Sequence, residues 1–377
     1  PDASRAVGVV SQLLSPEQNA DYCAGIRREY VEVRERTGAR RPRPTLPYAS
    51  AVARGLKLDW AHYQPPRPAR LGVQVFTDYP LSELLDTIDW TPFFITWDLI
   101  GKYPKIFDDA VVGTQARELF ADAQTMLAKL IADGRLKANG VIGLWPANRV
   151  GADDIAVYAD ASRARTLATL HHIRQQSVPN TDADPLLSLA DFIAPLESNV
   201  TDYIGAFAVT TGINADAIAA EYQAAGDDYN AIMVKALADR LAESFAEHLH
   251  RRVRREFWGY AADEQLDNEA LIRESYRGIR PAPGYPACPD HTEKRALFAL
   301  LDAQTNTGIQ LTESGAMHPA AAVSGWYFSH PDARYFNAGK LQRDQAEDLA
   351  RRKGLALAEL ERELNAVLGY DPRPVSK

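Results

Sequence analysis

GVIGLWPANRVGADDIAVYAD, residues 140–160, carries the most informative pattern in the chain. Two apolar runs, GVIGLW (140–145) and DIAVYAD (154–160), flank PANRVGAD, whose Pro, Asn, Gly and Asp are turn formers. The pattern predicts two strands joined as an antiparallel hairpin. Working outward, LGVQVF (71–76) and YIGAFAVTT (203–211) read as further strands, with shorter ones near 309–313 and 323–328. Helices are expected at 81–88, 114–133, 161–176, 340–353 and 355–366. The clearest helical signal is 229–258, where Val234, Leu237, Leu241, Phe245, Leu249 and Val253 recur at spacings of three and four. Strands and helices mix without regular βαβ alternation. The expected fold is therefore α+β: a single large domain with a twisted, mainly antiparallel sheet and flanking helices, preceded by a helical linker.

The 377 residues are 46% hydrophobic and 24% charged, enough for a sizeable core. A net charge of −8 argues against a general nucleic-acid binder. No apolar run approaches the roughly 18 residues of a membrane span. Two cysteines, Cys23 and Cys288, make neither a disulfide framework nor a CxxC metal site, so a cytoplasmic setting is the default. The N-terminus lacks the pattern of a secretory signal, and it begins at Pro1, as a piece of a longer chain would.

Val7, Val10, Leu13 and Leu14 form a short apolar stripe at the start. Ser15 and Pro16 then suit the N-cap and first position of a second helix, about 16–36. That helix is highly charged and too poor in apolar positions to bury a wide face, so it reads as a linker. RRPRPTLP (40–47) and QPPRPAR (64–70) read as extended connectors because proline removes donors and fixes φ. The boundaries expected are 1–14, a linker over 15–44, and the main domain over 45–377.

Familiar catalytic patterns are missing. There is no Gly-x-Gly-x-x-Gly loop, Walker A loop or Gly-x-Ser-x-Gly elbow. His171-His172 and His248-Leu249-His250 lack the spacing of a helical metal pair, and no metal ligands are expected. Ser329-His330-Pro331-Asp332 has triad residue types, but triads assemble from separate segments. Three aromatic, Pro-rich segments stand out instead: IDWTPFFITWDLIGKYP (88–104), SYRGIRPAPGYPACPDHTEK (275–294) and SGWYFSHPDARYF (324–336). Core packing under rigid loops is the plain explanation. Loops of this composition are also where sites are built.

These segments carry a resemblance. RPAPGY (280–285) matches the Arg-x-x-x-Gly-Tyr signature of the C-terminal activation module of cobalamin-dependent methionine synthase, and WTPFF, PACPDHTEK and SGWYFSHP match it in order. The chain resembles that family from about residue 45 to the end, and residues 1–14 resemble the tail of the preceding cobalamin domain. The family's Asp-x-His-x-x-Gly cobalt-ligating motif is absent. The resemblance therefore implies a module that binds S-adenosylmethionine, with cobalamin held by the adjacent domain and not by this chain. It implies reductive methylation of inactive cobalamin, with an electron from a flavodoxin-type donor. No general base is expected, because the cobalt provides the nucleophile.

The resemblance also implies a set of ligand-binding residues. Arg280 can grip the ligand carboxylate in a bidentate manner, and Pro281 holds its backbone extended. Asp89 would meet the ammonium or ribose, although it also suits a cap for a helix opening at Thr91-Pro92. Gly284 permits close approach, Tyr285 offers a ring and a hydroxyl, and Ala282 offers backbone groups to the adenine. Tyr335 matches a family tyrosine at the ligand, and Phe336 stands where the family often has a second tyrosine. Glu243 is placed at the site only by the resemblance, since helical periodicity sets it on a solvated face with Arg240 and Glu247. A module that binds the ligand as a sensor or docking device, without methyl transfer, is the alternative. Arg251–Arg255 and Arg351–Lys353 are candidate docking clusters for the electron donor, weighed against the plainer reading as solvated helix ends, and a monomer is the simpler expectation.

Overall fold

The hairpin expected over 140–160 is present, and its first strand is much longer than its apolar run. In the computed structural model, which describes residues 12–16, 19–38, 44–178, 181 and 183–372, this strand is one of eight. They are β1 (Gly72–Phe76), β2 (Lys137–Val150), β3 (Asp154–Tyr158), β4 (Thr166–His171), β5 (Asp202–Ile213), β6 (Gln310–Leu311), β7 (Met317–His318) and β8 (Ala322–Tyr327). The whole of PANRV belongs to β2, and the turn shrinks to 151–153, with Gly151 at φ +62°. Proline is tolerated in this central strand for a local reason. Along the edge of β2 away from β5, the ladder to β1 stops at Leu144↔Gly72 and the ladder to β3 starts at Ala147↔Val157. Pro146 falls in the gap between them, where a missing N–H costs no ladder bond.

The chain divides into two compact units, 1–45 and 46–377. In the first, helix α1 (Asn19–Gly38) occupies the position of the expected charged helix. Val7 and Val10 of the expected apolar stripe lie outside the described residues. In the second unit the main sheet has the order β4-β3-β2-β5-β8, with β1 on β2, and every ladder is antiparallel. β6 and β7 form a separate small pair. The helices of this unit are α2 (Tyr48–Ala53), α3 (Thr91–Thr96), α4 (Gly113–Asp133), α5 (Ala215–Ala224), α6 (Asp228–Arg252), α7 (Asn268–Ile272), α8 (Glu293–Leu301), α9 (Ala303–Thr307), α10 (Arg343–Lys353) and α11 (Leu357–Glu363).

Both faces of the sheet are covered, which explains the unbroken apolar runs of β2 and β5. Ile142, Leu144, Phe207, Val209 and Tyr327 face a core filled by α4, α6 and the rings of Trp90, Phe93 and Phe94. The alternate residues Val141, Trp145, Ala206, Ala208 and Trp326 face a second core with Leu297 and Leu301 of α8. Gly140 sits under α6, where a Cβ would come within 2.9 Å of the Phe245 ring. The fold is thus α+β with an antiparallel sheet and flanking helices, as the sequence led us to expect.

One expected helix is wrong. Residues 166–171 form the edge strand β4, paired with β3 from Asp154↔His171 to Tyr158↔Thr166. Pairing with the hairpin outweighs the weak helical pattern of 161–176, and the β-branched Thr166 and Thr169 suit a pleated edge. The expected helix 229–258 ends as an α-helix at Arg252 and continues as a π-turn over Val253–Phe257. Its end is held by the Pro-rich segment 64–70, since Trp258 Nε1 donates to the Pro66 carbonyl at 2.8 Å and Arg70 N to the Phe257 carbonyl at 3.0 Å.

A buried ion cluster fixes the hairpin turn. Arg174 is 2% exposed and bonds Asp191 at 2.7 and 2.8 Å, Asp153 at 2.7 Å and the Leu186 carbonyl at 2.7 Å. Tyr48 in α2 donates to the other oxygen of Asp153 at 2.6 Å. Replacing one partner of such a cluster leaves a charge buried without a counter-ion, at a cost of about 3–5 kcal/mol. Arg174→Met is therefore expected to lose about that much stability in urea unfolding, and a loss below about 1 kcal/mol would contradict the cluster's role.

Candidate functional site

The 280–285 segment takes its course from β8. Ile279 and Phe328 exchange two backbone bonds of 3.0 Å, and Trp326 N donates to the Pro281 carbonyl at 2.9 Å. The segment therefore lies along the free edge of the sheet in extended form, as expected of a residue that precedes proline. Gly325 permits this approach, since a Cβ there would lie 2.8 Å from the Pro281 oxygen. The chain then turns: Tyr285 N donates to Ala282 O, Cys288 N to Tyr285 O, and Gly284 N to Cys288 O. Gly284 has φ +98°, and a Cβ would meet the His291 ring at 2.2 Å. Two independent constraints thus demand glycine at this position.

Between this segment, β8 and α6 lies a cavity of about 450 Å³. Its walls include Glu243, Arg280, Ala282, Tyr285, Tyr335 and Phe336. Phe207, Val323 and Ser324 come from the sheet beneath. Of the residues named from the sequence, two are not on this wall. Gly284 shapes the turn behind it. Asp89 lies in an adjoining cleft of about 310 Å³, which shares Glu243, Glu274 and Arg280 with the cavity. One oxygen of Asp89 accepts from Thr91 N at 3.0 Å, so the capping role is also real. Tyr335 is spent in part on the scaffold, because its hydroxyl accepts from Arg280 N at 3.0 Å. Tyr285 is 63% exposed, and its ring stands at the cavity mouth. The Ala282 carbonyl is taken by the turn. Phe336 offers a ring and no hydroxyl, as its sequence dictates.

The supposedly solvated face of α6 turns inward. Glu243, Glu247, His250 and Arg254 recur at spacings of four, three and four, which makes a polar stripe on one side of the helix. Glu247, His250 and Arg254 are buried and Glu243 is half-buried. Burial holds the Glu243 carboxyl above its ordinary range and the His250 imidazole well below its own. Arg280 Nη1 donates to Glu247, to the Tyr276 hydroxyl at 2.8 Å and toward His250 Nδ1 at 3.5 Å. Sequence reading missed Glu247, Tyr276 and His250. A polar row on one side of a helix reads as a solvated face, so the sequence held no local signal for them.

Other candidates resolve differently. Ser329-His330-Pro331-Asp332 is part of an aromatic clasp, with the His330 ring 5.1 Å from Trp60 and 4.5 Å from Tyr63. Its Nδ1 accepts from Asp332 N at 3.1 Å. Much of the charge in the two basic clusters is met internally: Arg254 by Glu264, Arg252 by Glu256, Arg352 by Asp154 and Asp348, and Lys353 by Asp290 and Glu293. Among the described residues, no group of three or more His, Cys, Asp or Glu is placed to hold a metal ion, and no helix is long and apolar enough to cross a membrane.

Comparison with known proteins shows the fold and the family. The chain is similar to a solved structure described as the MetH reactivation domain bound to AdoHcy. The two are 55% identical and superpose with a TM-score of 0.84, over 87% of this chain and 100% of the other. Residues 80–354 match the family described as vitamin B12 dependent methionine synthase, activation domain, a span that contains every candidate site residue named above. The chain belongs to the family of activation domains of vitamin B12 dependent methionine synthase.

Proposed function

We propose that the cavity beside the 280–285 segment binds S-adenosylmethionine and presents its methyl group to cobalamin held by a neighbouring domain of the same enzyme. The observation that carries this reading is the composition of one cavity. A fixed guanidinium (Arg280), a half-buried carboxylate (Glu243) and the rings of Tyr285, Tyr335 and Phe336 share its walls. The ligand's carboxylate, its ammonium and sulfonium, and its adenine need that combination. The relative's AdoHcy, which is what remains of the donor after methyl transfer, supports the same assignment.

Each residue then has a defined task. The Nε and Nη2 edge of Arg280 accepts the carboxylate as a fork. Glu243 and the second oxygen of Asp89 take the ammonium. The backbone around Ala282 and the rings of Tyr285 and Phe336 flank the adenine. The hydroxyl of Tyr335 is engaged with Arg280 N, so its ring is the part that faces the sulfonium. The domain contributes proximity, orientation and exclusion of water, without a proton-transferring group of its own. Cobalamin, when held by the neighbouring domain and reduced by one electron from a flavodoxin-type donor, supplies the nucleophile that takes the methyl group.

Calorimetric titration of the chain with S-adenosylmethionine tests the site. Saturable one-to-one binding is expected, and Arg280→Ala should raise Kd by about 30-fold or more, the equivalent of about 2 kcal/mol for a charged hydrogen-bonded contact. Unchanged affinity in that variant would reject the assignment. Transfer of labelled methyl to chemically reduced cobalamin in trans then separates a methyl donor from a sensor, which would bind without transfer.

The carboxyl of Glu243 also sets a pH dependence. It must be ionised to hold the ligand's cationic groups, and burial raises its pKa. Affinity should therefore fall on acidification sooner than an ordinary glutamate would dictate. Titrations across a pH series should show this for the unsubstituted chain, and Glu243→Gln should flatten the profile while weakening binding at neutral pH.

A further inference from the structure

Arg280 is held from behind by a built cluster. Arg254 is fully buried and forks onto Glu264, with Nη2–Oε1 at 2.8 Å and Nε–Oε2 at 2.9 Å. Its guanidinium lies 4.0 Å above the centre of the Tyr276 ring. Its Nη1 faces Glu247 Oε1 at 3.7 Å. The other oxygen of Glu247 accepts from Arg280 Nη1, and that same nitrogen donates to the Tyr276 hydroxyl at 2.8 Å. Two cations and two anions thus alternate as Glu264, Arg254, Glu247 and Arg280, with Tyr276 bridging the two arginines.

The geometry at Arg280 is the informative part. A guanidinium has five N–H groups in a rigid plane. Both hydrogens of Nη1 have acceptors, Glu247 and Tyr276. Among the described residues, Nε and Nη2 have none. Two fixed contacts on one nitrogen set the plane of the whole group, so the opposite edge is presented at a defined angle.

We propose that Glu247 is a positioning residue that fixes the Arg280 guanidinium so that its Nε and Nη2 edge meets the carboxylate of the ligand. This rests on the reading of the cavity as a S-adenosylmethionine site. Its logic is geometric. A partner that only balanced charge could be replaced by any nearby anion, whereas a fork needs its donors within a few tenths of an ångström and about 10–20°. Arg254, itself forked onto Glu264, adds a counter-charge 3.7 Å behind Glu247 without a hydrogen bond to it.

The test compares two ligands, S-adenosylmethionine and decarboxylated S-adenosylmethionine, which lacks only the carboxylate. Glu247→Asp keeps the charge and withdraws the acceptor by one methylene. It should weaken S-adenosylmethionine by about tenfold or more and leave the decarboxylated ligand within about twofold of the unsubstituted chain. Glu247→Gln keeps an acceptor at full length, so its selective loss should be smaller than that of Glu247→Asp. Tyr276→Phe, which removes the second contact on Nη1 without changing charge, should show the same selectivity. Thermal melting of each variant identifies any that fails to fold. Equal losses for both ligands, no loss for S-adenosylmethionine in Glu247→Asp, or a larger loss in Glu247→Gln would overturn the proposal. If the unsubstituted chain binds neither ligand, the reading of the cavity fails and takes this inference with it.

Discussion

The central pair of strands, β2 and β5, is the constraint on which everything else rests. They run antiparallel from Lys137↔Ile213 to Ala147↔Asp202 and are buried on both faces along nearly their whole length. Each fully buried aliphatic or aromatic side chain contributes about 1.5–3 kcal/mol, so this pair anchors two cores at once. Because side chains alternate, a slip of one residue would exchange the two cores and set the side chain of Asn139 or Val141 in place of Gly140 against Phe245 of α6. β8 inherits its position from β5, and the 280–285 segment inherits its own from β8. The cavity is therefore located by a chain of backbone pairings that starts in the middle of the sheet.

Charge is distributed by a second rule. Arg174, Arg254 and Lys353 are all buried or nearly so, and each is matched to carboxylates from a different segment of chain. An unmatched buried ion would cost several kcal/mol, so these clusters fix which segments meet more than they add net stability. Arg280 differs from the rest. Its carboxylate partner occupies only one nitrogen, and the remainder of the guanidinium lies at the wall shared by two clefts. An arginine held firmly yet incompletely satisfied suits recognition of an anion.

Much of the candidate site was legible through the family resemblance, because its residues are local to motifs. Arg280, Ala282, Gly284 and Tyr285 lie within six consecutive residues, and Pro281 and Pro283 limit the shapes those residues can take. Glu243 was not legible from periodicity. On α6 it belongs to a polar row, and a polar row reads as solvent-facing until another segment covers it. The covering segment is 274–280, some thirty residues later, so nothing near Glu243 or Glu247 in sequence announces their burial. The failed helix at 161–176 has the same origin, since the partner that makes it a strand is the neighbouring hairpin.

By itself the sequence determined most of the strands and helices, the hairpin and the apolar stripe of α6. These depend on local preferences and on periods of two and of three to four residues, which are written directly into the order of side chains. Only the tertiary structure decided that Pro146 lies inside a strand, that β4 is a strand at all, and that Glu247 stands behind Arg280. Those outcomes depend on which distant backbone edge or counter-charge comes to rest alongside, and the free energy of that meeting exceeds the local preference it overrides.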